Sequence, residues 1–344
     1  MNNRVLLKYH SVFGIIAGIF LCILGITGSI LIFNEDFDSK TFKEYKVDAS
    51  SDVLHLDLAI ANIQQEFPKW NTRIIHFKKG ETIVFNIRRP DARRLVFVHP
   101  ETGNIIGNID ENALFTKWLL KLHYSLHSGL IGRFLVLFAG ICFLLSILTG
   151  IVLYRKVIIK TLLFKTKVKT ANKRSFYSAM HRYVGVWALI LNLILVITGI
   201  FLAYKVVQSG MVKAKTPAPP LVTASLEKSL KNIQDNTPDF NATYIRLPST
   251  KEGTITVNGT FANDPFFYSQ YYNKIQLDYA TGAIEQIVKT KEQPLVYKLN
   301  SMILPLHFGQ YAGIFGKILY AFIGLSGPFL SITGYFIWYI RRKQ

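Results

Sequence analysis

The chain has 344 residues, of which 50% are hydrophobic and only 18% are charged, and its formal net charge is +19. This apolar composition excludes an ordinary soluble domain and predicts a membrane protein in contact with the lipid bilayer. The excess basic residues lie largely in short segments, so we expect them to contact anionic lipid at the bilayer surface. We therefore expect no nucleic-acid partner.

Four apolar stretches are each long enough to cross a hydrocarbon core of about 30 Å, which takes about 20 helical residues. The first stretch exceeds the core of a signal peptide, about 7–15 residues, and no A-x-A-like cleavage site follows it, so we predict an uncleaved first span. The predicted spans lie at residues 11–33, 134–154, 183–204 and 318–340.

The charged residues predict an orientation. Every Asp and Glu lies within residues 34–115 or 206–305, whereas the connection from Arg155 to Arg182 carries only Lys and Arg. Basic loops tend to stay on the cytoplasmic side, so we expect cytoplasmic N- and C-termini and two outward-facing polar regions. The predicted location is a bacterial inner membrane, with both polar regions in the periplasm.

The two polar regions share one predicted order of elements. Each begins with a helix and ends with a strand, a T-G turn and a second strand. The sequence therefore predicts an α-helical membrane protein built by internal duplication, in which a helix, a small α+β module and a helix occur twice. The predicted domains are a first transmembrane helix at 1–33, a first module at 34–115, a second transmembrane helix at 116–156, a cytoplasmic basic loop at 157–180, a third transmembrane helix at 181–205, a second module at 206–300, and a fourth transmembrane helix with a cytoplasmic tail at 301–344.

The spans repeat two motifs, each of which begins at a histidine. H-x3-G-x12-T-G starts at His10 and again at His181, and H-x5-G-x2-G-[R/K]-x6-G-x8-T-G starts at His123 and again at His307. Of the eight histidines in the chain, these four recur at equivalent positions. Imidazole is costly inside a membrane unless it has a partner, so we predict that the recurring histidines are ligands.

The positions of these histidines indicate what they bind. His10 and His181 begin outward-running spans, and His123 and His307 begin inward-running spans, which places one pair near each membrane face. Two histidines are too few for a closed zinc site, which uses about four ligands, but they complete the axial positions of a haem iron. The absence of a C-x-x-C-H motif excludes covalent attachment, so the count predicts two haem b groups.

Residues near the histidines have weaker assignments. Arg182, Arg133 and Lys317 are candidate partners of haem propionates, and headgroup anchoring explains these cations equally well. The glycines that follow the histidines leave room either for a flat macrocycle or for close helix packing. We interpret the T-G pairs as structural, with the Thr hydroxyl bonded to a backbone carbonyl.

The order of these motifs resembles the PepSY-associated transmembrane proteins. The resemblance rests on the two span motifs and on the module turns V-x-P-E-T-G and L-D-Y-A-T-G, and it extends from His10 to Trp338. It implies PepSY-like modules in an inner-membrane protein linked to iron uptake. The best understood branch of the family comprises di-haem reductases that release iron from ferric siderophores in the periplasm. For this chain, the resemblance implies that the four recurring histidines are the axial haem ligands.

On this resemblance, we expect a haem-dependent ferric reductase that acts on a ferric siderophore or another ferric chelate. The chain contains no nucleotide or flavin motif, so its electron donor would be external, either quinol or a cytoplasmic reductant. His127, Tyr124 and Tyr311 are weak candidates to line an acceptor site near the outer haem. The basic segment 88–94 and the aromatic segment 264–274 are further candidates, although a solvated hairpin tip and alternating strand residues explain them more simply.

Two other classes of function stay open. In the first, the protein is not an enzyme, and its membrane-anchored PepSY-like modules bind or regulate a periplasmic partner. In the second, the protein is a metal transporter that uses the histidines as relay sites, which the lack of intramembrane carboxylates disfavours. Only the haem protein would be red when purified.

Overall fold

The computed structural model describes residues 2–47, 53–168, 172–213, 216–309, 311 and 313–343. The chain divides into two compact units, a helical unit and a sheet unit. The helical unit comprises Met1–Asn34, Leu119–Val212 and Leu306–Gln344, and the sheet unit comprises Glu35–Trp118 and Lys213–Pro305.

The described residues form eleven α-helices and eight β-strands. In chain order the helices are α1 (Asn3–Leu31), α2 (Asn34–Phe42), α3 (Leu56–Glu66), α4 (Phe115–Ser125), α5 (Gly129–Tyr154), α6 (Ile158–Leu162), α7 (Lys173–Trp187), α8 (Leu189–Met211), α9 (Leu226–Asn236), α10 (Leu295–Phe308) and α11 (Gly313–Arg342). The strands are β1 (Asn71–His76), β2 (Ile83–Arg88), β3 (Arg93–Val98), β4 (Ile105–Asp110), β5 (Phe240–Arg246), β6 (Ile255–Phe261), β7 (Asn273–Leu277) and β8 (Ile284–Val288).

Helices α1, α5, α8 and α11 are long and apolar enough to cross a membrane, and they are the four such helices among the described residues. Each overlaps one of the predicted spans. Helix α1 begins after Asn2, whose side-chain oxygen accepts a hydrogen bond from the Arg4 amide at 3.0 Å. This interaction is a standard helix N-cap.

The start of the second predicted transmembrane helix differs from the prediction. A single helix is expected over residues 116–156, but a turn separates α4 from α5, and Leu126 and His127 in that turn have φ values of 50° and 54°. Gly132 of α5 permits a close approach to the end of α4, because a Cβ on this residue would lie 1.7 Å from the Ser125 carbonyl oxygen. The third predicted span is also interrupted, between α7 and α8.

Helices α1 and α11 pack closely through small residues. A Cβ on Gly25 would lie 2.5 Å from Cδ of Pro328 and 2.6 Å from the Gly324 carbonyl oxygen. The Ser29 hydroxyl donates a hydrogen bond to the Ala321 carbonyl at 2.9 Å. Small residues allow such close backbone approach between membrane helices. Helix α1 also packs on α5, α5 packs on α8, and α11 packs on α7.

In the sheet unit, the eight described strands form one antiparallel sheet with the order β4-β3-β2-β1-β5-β6-β7-β8. The first four strands in the chain belong to the predicted first module and the last four to the second. The two sets join where Arg73 and Ile74 of β1 pair with Arg246 and Ile245 of β5. The sequence predicts both modules but not their fusion, because the paired residues lie far apart in the chain.

Helices α3 and α9 supply the apolar core on one face of this sheet. Ile63 and Ile233 from the helices and Ile74, Phe85 and Ile245 from the strands are all buried there. Complete burial of one such side chain stabilises a fold by roughly 1.5–3 kcal/mol. The core therefore unites residues from both predicted modules.

The N-termini of α3 and α9 cap each other. Oδ1 of Asp57, in the first turn of α3, accepts a hydrogen bond from the Leu226 amide at 2.6 Å, and Oδ2 accepts one from the Ser225 hydroxyl at 2.5 Å. In return, Oε1 of Glu227 in α9 accepts a hydrogen bond from the Asp57 amide at 3.2 Å. Each helix start thus satisfies backbone amides that the other leaves without an intrahelical partner.

The two predicted T-G turns connect β3 to β4 and β7 to β8. Their glycines, Gly103 and Gly282, have φ values of 66° and 75°, which favour glycine. Hydrogen bonds from the Thr281 hydroxyl and amide lower the pKa of Asp278 in the second turn. In the first turn, Nδ1 of His99 accepts a hydrogen bond from the Glu101 amide. His99 therefore stabilises the turn.

Candidate functional site

The helical unit brings the recurring histidines together in the two predicted pairs. In the first pair, His10 of α1 and His181 of α7 have ring centroids 6.1 Å apart and ring planes at 87°. In the second pair, His123 of α4 and His307 of α10 have ring centroids 6.5 Å apart and ring planes at 56°. The repeated motifs therefore place the imidazoles as expected, whereas their role as ligands stays a prediction.

Threonines from neighbouring helices hold both imidazoles of the second pair. Oγ1 of Thr27 lies 2.9 Å from Nδ1 of His123, and Oγ1 of Thr198 lies 3.0 Å from Nδ1 of His307. Each hydroxyl donates its own proton to a backbone carbonyl in its helix, so it accepts the proton of the imidazole. This network assigns the proton to Nδ1 and leaves Nε2 with a lone pair for a metal.

The first pair is anchored in a similar way. Nδ1 of His181 lies 3.0 Å from Oγ1 of Thr333. Nδ1 of His10 lies 2.9 Å from the Ser146 carbonyl oxygen and 3.3 Å from Oγ1 of Thr149. A carbonyl oxygen can only accept a hydrogen bond, so His10 must donate from Nδ1. All four imidazoles are therefore protonated at Nδ1, and Nε2 is the nitrogen that can coordinate a metal.

The glycine of each T-G pair leaves space for an imidazole ring. A Cβ added at any of these glycines would contact Cε1 of the histidine held by the preceding threonine. The distances from that Cβ to Cε1 are 3.0 Å for Gly28, 3.2 Å for Gly150, 3.1 Å for Gly199 and 3.4 Å for Gly334. The T-G pair is thus an imidazole cradle as well as the carbonyl-bonded structural feature that the sequence predicts.

The distances between the rings fit one metal ion held between the two histidines of a pair. Two imidazole nitrogens, each about 2 Å from the same metal, would place their ring centroids roughly 6 Å apart, close to the observed 6.1 and 6.5 Å. Metal-bound histidines usually donate their other ring N–H to a fixed acceptor, as these do. No group of three or more His, Cys, Asp or Glu suited to a metal occurs among the described residues. A porphyrin that supplies the other four nitrogens fits this donor set.

The two pairs lie far apart along the helices. His10 and Thr27 belong to the continuous helix α1, and Thr27 contacts His123 of the second pair. At about 1.5 Å of rise per residue, His10 and Thr27 are separated by about 25 Å along the helix axis. This separation approaches the thickness of a bilayer core, which is about 30 Å.

The predicted propionate partners lie on the same helices as the histidines or next to them. Arg182 donates to the Lys167 carbonyl at 3.4 Å, and Arg133 donates to the Val206 carbonyl at 3.0 Å. Both arginines also have a buried Nε without a hydrogen-bond partner in the described part of the chain, and a bound carboxylate would satisfy that donor. Lys317 is half-buried near the start of α11. The propionate role of the three cations stays a prediction.

Two of the glycines that follow the histidines, Gly14 and Gly18 of α1, contribute mainly to helix packing. A Cβ on Gly14 would lie 3.3 Å from Oγ of Ser146, and one on Gly18 would lie 3.2 Å from Cβ of Ser331. The sequence leaves macrocycle space and helix packing as equal alternatives for these residues. The contacts favour helix packing for both.

The weak acceptor-site candidates lie close in sequence to the second pair. His127 is exposed in the turn between α4 and α5. Tyr124 is half-buried, and its ring centroid lies 5.9 Å from the guanidinium carbon of Arg133. The Tyr311 hydroxyl lies 2.5 Å from the Tyr320 hydroxyl. The acceptor role of these residues stays a prediction.

Tyr320 is not among the residues that the sequence motifs single out, and it is only 3% exposed. Its hydroxyl donates a hydrogen bond at 3.0 Å to the carbonyl of Leu306, the residue before His307. Because this donation uses the Tyr320 proton, Tyr311 is the donor in the contact between the two hydroxyls. An aromatic residue within an apolar span is usually a packing residue, so no sequence signal separates Tyr320 from its neighbours.

The fold and the site define a helical membrane protein with two histidine pairs and an additional α+β sheet unit. The chain belongs to the family described as the PepSY-associated TM region, which matches residues 7–341. The predicted family is therefore confirmed, over a range that contains both histidine pairs. No curated protein matches the chain.

Proposed function

We propose that the protein is an inner-membrane di-haem b oxidoreductase that passes electrons across the membrane and reduces ferric iron in the periplasm during iron uptake. The observation that carries the proposal is the geometry of the two histidine pairs. Their ring centroids lie 6.1 and 6.5 Å apart, and every imidazole is anchored through Nδ1.

The chain's own residues would bind and orient the two haem groups. His10 with His181, and His123 with His307, would supply the axial nitrogens, while the T-G threonines keep each ring fixed and protonated at Nδ1. A bis-histidine haem supplies a one-electron redox centre whose iron is fully coordinated. Such coordination suits electron transfer better than the binding of a substrate to iron.

The separation of the pairs supports electron transfer across a membrane. About 25 Å of helix α1 separates them, so each pair would lie near one face of the bilayer. By the positive-inside tendency, the first pair faces the cytoplasm and the second faces the periplasm. The electron would come from quinol or a cytoplasmic reductant, and the acceptor would be a ferric siderophore or another ferric chelate.

Reduction would release iron through a change in ligand preference. One electron from the donor converts one ferric ion to a ferrous ion, and no bond of the chelator is broken. Hard oxygen ligands bind ferrous iron more weakly than ferric iron, because the ferrous ion carries less charge. The chelate therefore loosens after the electron arrives.

The first test measures haem content and absorption. The full chain, purified from haem-replete cells, should contain two haem b groups per polypeptide and show a sharp α-band on reduction. His55→Ala is a matched control, because His55 is exposed in the sheet unit, and it should retain both groups. A colourless wild-type protein would contradict the proposal and favour a membrane-anchored PepSY protein that binds a periplasmic partner.

The second test measures the reaction. Proteoliposomes that enclose a reductant should reduce an external ferric chelate, and a ferrous-specific dye outside the vesicles would record the product. Vesicles that contain the double variant His181→Ala, His307→Ala should lose this activity. A red protein that transfers no electrons to any ferric chelate would retain the haem assignment and refute ferric reduction.

A further inference from the structure

Four arginines lie on the face of the sheet opposite α3 and α9. Ile74, Ile87 and Ile245 point into the core between the sheet and these helices, and successive strand residues point to opposite faces. Arg73, Arg88 and Arg246 are adjacent in the chain to these isoleucines and therefore lie on the other face. Arg93 lies there too, because it pairs with Arg88. We define the arginine face as Arg73, Arg88, Arg93 and Arg246.

These arginines occur as directly opposed pairs. Arg73 of β1 is the register partner of Arg246 of β5, and Arg88 of β2 is the register partner of Arg93 of β3. Like charges directly opposite each other on neighbouring strands destabilise a sheet. Two such pairs in one sheet therefore repel each other, and a bound anion would reduce that repulsion.

Burial increases the cost of these charges. Arg73 and Arg88 are half-buried, whereas Arg93 and Arg246 are exposed. Burial, followed by the charge of Arg73, lowers the pKa of Arg88 to about 10. Burial also lowers the pKa of Arg73. Burial removes water from these guanidinium groups, and a bound anion would compensate for that lost hydration.

The neighbouring carboxylates compensate the cluster only in part. Glu111 offsets some of the charge of Arg88, but it also binds Lys117, with 3.1 Å between Oε1 and Nζ. Burial alone would raise the pKa of Glu111, but Lys117, Asn86 and Arg88 together lower it. Glu111 is therefore negatively charged, but it interacts with both Lys117 and Arg88, so it balances only part of the charge of the cluster.

Asparagine side chains orient two of the arginines. Nε of Arg73 donates to Oδ1 of Asn71 at 3.2 Å, and Nε of Arg88 donates to Oδ1 of Asn86. These bonds hold each guanidinium plane in a defined direction, so a ligand meets an arranged set of donors.

The arginine face also unites the two weak candidate segments of the sequence. Tyr271 of the aromatic segment 264–274 packs edge-on against Tyr244, with ring centroids 5.2 Å apart. Electrostatic interactions link Tyr271 to Arg88 of the basic segment 88–94 and to Glu35. The two segments belong to different predicted modules, and the junction of β1 with β5 brings them to one surface.

We propose that the arginine face is a binding site for a small polycarboxylate anion of the size and charge of citrate. Guanidinium groups bind carboxylates through paired hydrogen bonds. The two opposed pairs adjoin through Arg73 and Arg88 on the neighbouring strands β1 and β2, which lie about 5 Å apart. A molecule with several carboxylates can therefore engage both pairs, whereas one phosphate engages a single pair. The site needs no haem, so it stands or fails independently of the proposed oxidoreductase activity.

The experiment is calorimetric titration of the full chain, in nanodiscs of phosphatidylcholine, with citrate as the probe. Arg73→Gln and Arg246→Gln should each weaken citrate binding at least tenfold, and raising the salt concentration should weaken binding to the wild type. Lys79→Gln removes the same charge from an exposed turn of the same unit and should leave the affinity unchanged. Absence of citrate binding, or equal weakening by Lys79→Gln, would overturn the proposal.

Thermal unfolding provides a second readout that a purely structural arginine would not give. Arg246→Gln should raise the melting temperature of the ligand-free protein, because it removes a repulsive pair, and should reduce the stabilisation that citrate confers. A lower melting temperature without ligand would assign Arg246 a structural role and refute the site.

Two further titrations identify the source of the anion. Inorganic phosphate should bind more weakly than citrate, and nanodiscs that contain phosphatidylglycerol should leave citrate binding largely intact. Equal affinity for phosphate, or loss of citrate binding in anionic nanodiscs, would assign the surface to phosphate groups and overturn the polycarboxylate proposal.

Discussion

The two histidine pairs have the same type of anchor but differ in what fixes it. In the second pair, both imidazoles are held by threonine hydroxyls, at 2.9 and 3.0 Å. In the first pair, His10 is also bonded to the Ser146 carbonyl at 2.9 Å, and Thr149 is more distant at 3.3 Å. The carbonyls of Leu24 and Leu195 also interact with His123 and His307, but the closest partners of these two imidazoles are the threonine hydroxyls. His10, whose closest partner is a carbonyl, therefore depends less on its threonine than the second pair does.

The surroundings of the pairs differ as well. The ring planes of the first pair are nearly perpendicular, at 87°, and those of the second are inclined at 56°. The second pair also has the Tyr311–Tyr320 hydroxyl contact behind the helix end that carries His307. Hydrogen bonding around the ligands tunes the potential of a haem, so the proposed haem groups should have different midpoint potentials.

Removal of one ligand from each pair should have the largest effect and should separate the two sites. His181→Ala should eliminate the haem of the first pair and retain the other, and His307→Ala should do the reverse, because each iron would lose one of its two axial nitrogens. Haem stoichiometry and the reduced spectrum of each variant measure this. Loss of the same haem in both variants would show that the ligands are paired differently.

Methyl groups added beside the rings should affect the second pair more than the first. A Cβ on Gly28 would lie 3.0 Å from Cε1 of His123, whereas one on Gly334 would lie 3.4 Å from Cε1 of His181, an ordinary contact. Gly28→Ala should therefore displace its imidazole and lower the retention of one haem, while Gly334→Ala should retain both. Each substitution raises helix propensity by about 1 kcal/mol, so haem content is the informative measurement. Equal retention in both variants would contradict the cradle geometry.

Loss of the threonine hydroxyls should show the same contrast in affinity. Thr27→Val should weaken haem binding at the second pair about tenfold to a hundredfold, as expected when the acceptor of a ligand's N–H is removed. Thr149→Val should have a smaller effect, because the Ser146 carbonyl at 2.9 Å is a closer partner of His10 than Thr149 at 3.3 Å, whereas Thr27 is the closest partner of His123. Transfer of haem to apomyoglobin measures the affinity, and Thr27→Ser should restore binding. Failure of the serine variant would indicate that the methyl group matters rather than the hydroxyl.

The smallest effect should come from the tyrosine contact. Tyr320→Phe removes a hydrogen bond to the Leu306 carbonyl, which contributes about 1 kcal/mol, and retains the aromatic ring. Redox titration should show a shifted midpoint potential for the second pair alone. Tyr339→Phe, at an exposed position of the same helix, should leave both potentials unchanged, and an equal shift for both pairs would exclude a local role for Tyr320.

The pairing of the histidines can be predicted from the sequence, because the position of a residue along a membrane helix determines its depth in the bilayer. Recurrence of one motif at His10 and His181, and of another at His123 and His307, was enough to group them by depth. The rotation of each helix about its axis was not accessible, because it depends on packing. The contact between Thr27 and His123 is therefore found only in the fold.

The sheet unit marks another boundary of sequence analysis. The T-G turns predict the last two strands of each module, since these signals are local. The pairing of Arg73 with Arg246 is a contact between distant segments, and nothing in either strand alone indicates it. The turn at Leu126 and His127 is also not evident from the sequence, because a positive φ is uncommon at residues other than glycine.

The mutual caps of α3 and α9 have a consequence for biosynthesis. Asp57 and the amides that it binds are separated by up to 170 positions in the chain. At a translation rate of about 5–20 residues per second, the first helix waits roughly ten to thirty seconds for its partner to be synthesised. The early half of the sheet unit therefore leaves the ribosome before the residues that complete its apolar core have been synthesised.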